Sequence, residues 1–255
     1  MIETTTSRYR QLTGWGLIAA ALTMFAGAML LAAHGADPMV AWFDGDIDAY
    51  LADVEESSLL VQANLWTWIG GVWVYLAAGL AMGRLLPHDS WGRGLSRAGL
   101  TAGTAIVMVA YTGWLTIPLH IAPAWVASPS PELRTLGLAV AWWTYAADQI
   151  ATIGVLSIGM GVGVISARST WAPRWLVALG GAALVSGMLS MIPFVFSVAG
   201  WLAMPMIPIG LATTIGAGFS ILRWNPARTP VLPGDGIPAT DAMGPARGHD
   251  RARGH

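Results

Sequence analysis

From Trp175 to Leu222 the chain runs 48 residues without one charged side chain. As a single helix that stretch would be roughly 72 Å long, more than twice the thickness of a bilayer's hydrocarbon core. Such a segment must cross a membrane, turn and cross back. Pro193, Gly200, Pro205 and Pro208 place the turn near residues 194–204, because proline and glycine interrupt helices.

The rest of the chain follows the same rule. Apolar residues make up 55% of its 255 residues and charged ones 11%, against about 25% charged in an ordinary soluble domain. Mean hydropathy is +0.58. Inside a bilayer every backbone N–H and C=O must be satisfied within the segment, so apolar runs of about 20 residues read as helices. Six spans are expected, at about 14–33, 65–86, 100–121, 136–165, 175–195 and 201–222. The fold class is an all-α, polytopic transmembrane bundle. It comprises a short N-terminus (1–13), a six-helix domain (14–223), an acidic external loop within it (34–64) and a tail (224–255) expected to be disordered.

Arginine sets the direction. Twelve of the 13 basic residues fall on one side of the threading and only Arg134 on the other. The acids Asp37, Asp44, Asp46, Asp48, Asp53, Glu55 and Glu56 crowd the first external loop. Basic residues stay cytoplasmic, so both termini are expected inside. A cleaved leader ending near Ala36 is the competing reading. Its apolar run of about 20 residues exceeds a usual leader core. Tryptophans such as Trp66, Trp68, Trp125, Trp171 and Trp175 are expected near span ends, where the indole prefers to sit.

Absences exclude several chemistries. There is no cysteine, hence no thiolate metal site and no thiol nucleophile. There is no lysine, hence no Schiff base and no P-loop lysine. No HExxH motif, nucleophile elbow or phosphate loop is present. Arginine in place of lysine, with abundant Ala and Gly, points to a GC-rich bacterial genome and so to a bacterial inner membrane.

One acid lies inside a span, Asp148 in the fourth. A charged carboxylate there costs about 2.5–3.5 kcal/mol on insertion scales, so in-membrane acids are functional candidates by default. No intramembrane arginine stands ready to pair with it. Thr144, Asp148 and Thr152 recur every four residues and so share a face, with Tyr145 and Gln149 beside them. Tyr75, Tyr111, Thr112, Ser186, Thr213 and Thr214 are expected at similar depth. The candidate site for a small polar ligand or a proton is therefore Asp148 with Thr144, Thr152, Tyr111 and Tyr75. The plain alternative is a buried structural carboxyl, protonated and bonded to a tyrosine or threonine.

Other signals are weaker. His34 and His120 end two spans and are candidate haem ligands, but neither has a second ligand one helical turn away. No other cofactor is expected. Asp44, Asp46, Asp48 and Glu55 match calcium-loop spacing, yet Ala49 replaces the required glycine. A short helix over 49–58, capped by Asp48, is favoured instead. The pairs Gly79/Gly83 and Gly159/Gly163 are small-residue faces for helix packing, within the chain, in a homo-oligomer or against a partner subunit.

Four places carry a family resemblance: Arg10-Gln-Leu-Thr-Gly14, Asp48-Ala-Tyr-Leu-Ala-Asp53, the glycine-rich fourth helix, and Ser169-Thr-Trp-Ala-Pro-Arg-Trp-Leu176 followed by Gly180-Gly181. The layout over about residues 8–223 resembles the domain of unknown function 4386 family of six-helix bacterial membrane proteins. The resemblance implies topology and offers no catalytic residues. The expected function is non-enzymatic, transporter-like or sensory. A structural or regulatory subunit and a haem-binding oxidoreductase stand as alternatives.

Overall fold

The structure, a computed structural model, describes residues 2–36, 46–87, 90–193 and 205–225. All regular structure among them is helical. In chain order the helices are α1 (Ile2–His34), α2 (Ile47–Glu56), α3 (Ser58–Met82), α4 (Trp91–Thr116), α5 (Ala122–Ala127), α6 (Pro131–Thr152), α7 (Gly163–Ser166), α8 (Arg174–Ser190) and α9 (Met206–Arg223). Wide π turns join α4 to α5 (Ile117–Ile121) and α6 to α7 (Ile153–Val162).

Five continuous helical stretches are long and apolar enough to cross a membrane: Ser7–His34, Ser58–Leu85, Trp91–Ala127, Pro131–Ser169 and Met206–Arg223. Their outward faces carry large apolar side chains such as Leu22, Phe25, Met29 and Trp73, all more than half exposed. Faces of that kind belong against lipid rather than water, and the chain is a multi-pass membrane protein. Helix α8 is apolar but has only 17 residues. The turn expected at 194–204 and the tail beyond Asn225 lie outside the described residues, as do Asp37, Trp42, Asp44 and Trp201.

Local chemistry moves several boundaries. The third and fourth stretches begin earlier than hydropathy places them, because Ser90 and Ser130 cap α4 and α6. Each serine hydroxyl accepts the backbone N–H three residues on, from Arg93 and Leu133, both at 3.2 Å. Pro131 follows at the first helical position, where its missing N–H costs nothing. Pro118 removes a donor inside the α4–α5 helix, and the chain widens there into a π turn.

In the external loop the expected cap shifts. Asp46, not Asp48, caps α2, accepting the Ala49 N–H at 3.1 Å. Asp48 instead lies in the first turn and pairs with Arg134 at 3.1 Å. With Asp46 and Asp48 committed to a helix, the calcium loop does not form over the described residues. Helix α2 buries Ile47, Tyr50, Leu51 and Val54 against α5, α6 and the first π turn, and so caps one end of the bundle.

Arginines gather at the other end. Arg10 donates to the Trp224 carbonyl, joining the start of α1 to the end of α9. Arg84 donates to the Tyr9 hydroxyl at 2.6 Å and lies over the Tyr9 ring, 5.0 Å from its centroid. In packing order α3 lies on α1, α1 on α9, and α9 on the second π segment and α8. The α6–π helix lies on α4, and α4 returns to α3. This ring of helices encloses the space described next.

Candidate functional site

Five elements of the ring, α1, α3, α4, α6 with its π segment and α9, leave between them a cavity of about 280 Å³. Its size falls just below the usual range of about 300–1,000 Å³ for ligand pockets. Asp148 lines it, near the middle of the 39-residue Pro131–Ser169 helix. Asp148 as a residue is partly buried, and it lines this cavity. Its Oδ1 is buried with no hydrogen-bond partner. Tyr111 also lines the wall. Thr152 completes the expected group, one turn along α6.

Two expected residues lie elsewhere. The Thr144 hydroxyl turns back onto its own helix, donating to the Val140 carbonyl at 2.8 Å, and its methyl packs near Gly113 of α4. At about 100° per residue a step of eight turns a helix 80° off register, so Thr144 and Thr152 face different neighbours. Tyr75 is fully buried and shares a 2.9 Å hydrogen bond with the Thr214 hydroxyl, on the contact between α3 and α9. It does not line the cavity.

The other hydroxyls expected at this depth are spent locally. Thr112, Ser186 and Thr213 each donate to a carbonyl three or four residues back in their own helix, the usual fate of a hydroxyl in an apolar helix. The polar wall is therefore narrower than the sequence suggests, and it is centred on α6.

Asn64 and Trp68 escaped the sequence reading as wall residues, and Tyr145 and Gln149, expected beside Asp148, join them. Asn64 is buried in the wall, its Nδ2 donating to the Gly27 carbonyl of α1. Hydropathy assigned it to the loop, because the apolar run begins at Leu65, whereas α3 begins at Ser58. Trp68, expected near a span end, also lines the cavity. Gln149 is buried with its Oε1 unpartnered. Tyr145, Asp148, Gln149 and Thr152 form the true stripe, at steps of three, four and seven. Trp68, Tyr111 and Trp114 form a chain of tilted rings with centroids 6.5 and 6.2 Å apart. Trp114 is fixed by donating its Nε1–H to the Tyr50 hydroxyl of α2 at 2.9 Å.

The remaining candidates differ in burial. His34 is buried, and its Nδ1 accepts the Ala36 N–H at 3.1 Å. His120 is exposed on the first π turn. No group of three or more His, Cys, Asp or Glu able to hold a metal occurs among the described residues. The glycines expected to offer packing faces lie at crossings within the chain. A Cβ on Gly79 or Gly159 would strike Leu100, on Gly163 would strike Met82, and on Gly83 would press on Arg97.

Comparison with known proteins returns no matching family model, no matching curated protein and no matching solved structure.

Proposed function

We propose that this chain is a six-span protein of the bacterial cytoplasmic membrane, with both termini inside, that binds a small polar ligand or a proton in the cavity around Asp148. Its role on this reading is transporter-like or sensory and non-enzymatic. One observation carries the proposal: the acid at membrane depth lines a cavity, and its Oδ1 has no hydrogen-bond partner. A merely structural carboxyl would be fully bonded, since an unsatisfied buried polar atom costs about 1–3 kcal/mol. The inside orientation is supported by the arginines gathered where Arg10 meets Trp224 and Arg84 meets Tyr9. The sixth crossing is supported by α8 together with the uncharged residues that follow it.

The chain has no native cysteine, so single cysteines report directly. Thr152→Cys should react with methyl methanethiosulfonate, and Thr144→Cys, facing α4, should stay protected. Equal protection of both would remove the accessible cavity. A cysteine added after His255 should resist a membrane-impermeant maleimide in intact cells and react after lysis. Labelling before lysis would reverse the threading.

A further inference from the structure

We propose that the ligand held at Asp148 is a small organic ammonium ion. This deepens the reading given above and rests on it.

Charge is the first argument. Asp148 brings a carboxylate to the cavity, no arginine lines the wall, and the chain contains no lysine. An anionic ligand would find a like charge and no cation. Asp148 Oδ1 and Gln149 Oε1 are both acceptors without partners. A ligand that satisfies them must bring hydrogen-bond donors, positive charge or both.

The walls supply the second argument. Trp68, Tyr111, Trp114 and Tyr145 line the same cavity as the carboxylate, and the remaining surface is mostly aliphatic, as at Val72 and Leu156. Aromatic rings attract a cation through their quadrupole, and alkylated ammonium ions are the cations they hold best, because these carry little hydration to lose. A bare inorganic cation would need six or so oxygens at close range, and this wall is too apolar to provide them. A sugar would need many more hydrogen-bonding groups than the few present. The volume of about 280 Å³ suits a compact organic molecule and far exceeds a dehydrated metal ion.

Tyr111 stands between the other rings, 6.5 Å from Trp68 and 6.2 Å from Trp114, and shares the cavity wall with Asp148. An ammonium ion in this cavity therefore meets the carboxylate and the aromatic chain in one enclosing wall.

The test uses the full chain in lipid nanodiscs and calorimetric titration with choline, benzyltrimethylammonium and 3,3-dimethylbutan-1-ol, the uncharged carbon isostere of choline. At least one ammonium probe should bind, and the isostere should bind at least tenfold more weakly than choline. Asp148→Asn should weaken ammonium binding tenfold or more. Trp68→Leu should weaken it about threefold or more with an unchanged melting profile. The isostere comparison is made on the unaltered chain, so it does not depend on any variant folding. The ammonium assignment is overturned if choline and its isostere bind alike, if Asp148→Asn binds the ammonium probes normally, or if neither ammonium probe binds. Should the ammonium probes fail while Thr152→Cys still reacts in the cavity, the ligand class falls and the cavity reading stands. Should Thr152→Cys be protected as well, both fall.

Discussion

The two halves of the long Pro131–Ser169 helix pack in opposite ways. In the α6 half, bulky polar and aromatic side chains, Tyr145, Asp148 and Gln149, face the middle of the bundle and leave a cavity there. In the π half, buried side chains such as Leu156 and Met160 pack beside points where backbone meets backbone. A Cβ on Gly99 of α4 would lie 2.7 Å from the Gly154 carbonyl oxygen, and one on Gly161 would lie 2.8 Å from that of Gly180 in α8. Backbones touch there, a common way for helices to associate in lipid, where no hydrophobic force drives them together. Helices pinned together at glycines in one half stay apart where the glycines stop. The cavity is the consequence of that change, and the wide π turns begin at Ile153, immediately after Thr152. Rigid packing at one end and an open polar wall at the other is how a site is held on a firm scaffold.

Substitutions should separate the halves. The largest loss belongs to Gly99→Val, whose side chain would collide with backbone atoms that have no rotamer to yield. Thermal unfolding in detergent should show a cost near the upper end of the overpacking range, about 3 kcal/mol. A near-native melting profile would mean that the backbone contact is not what holds this half together. Asp148→Asn should leave the melting profile almost unchanged while weakening ammonium binding at least tenfold, about 1.4 kcal/mol. Loss of folding without loss of binding would reverse the roles assigned to the two halves.

Smaller effects test the edges of the site. Tyr75→Phe removes the bond to Thr214 and should cost about 1 kcal/mol of stability, with binding unchanged. A binding defect there would extend the site across α3. Thr144→Val exchanges a hydroxyl bonded to its own helix for a methyl and should shift stability by about 0.5 kcal/mol or less. If it impairs binding by itself, the 80° separation between Thr144 and the cavity face is wrong.

Legibility in the sequence followed the range of the physics. Asp148 was plain because a lone carboxyl in an apolar run stands out at any rotation of its helix. Tyr111 and Thr152 came with it through depth and spacing. Thr144 was misread because a four-residue step drifts around the helix with each repeat, and only the position of α4 decides where a face ends. Asn64 was assigned to the loop because hydropathy marks where an apolar run begins, whereas α3 starts at Ser58, seven residues before the run at Leu65. The pair Gly99 and Gly103 looks like any other glycine spacing until Ala151 and Gly154 are seen opposite.

The sequence by itself determined the medium, the helical class and the grouping of arginines at one end, because the transfer of each residue into lipid is a local cost summed along the chain. Only the tertiary structure decided that Asn64, Trp68 and Gln149 share a wall with Asp148 while Tyr75 and Thr144 do not. A cavity is set by the rotation of five helices about their own axes, and that rotation is fixed by contacts between residues far apart in sequence.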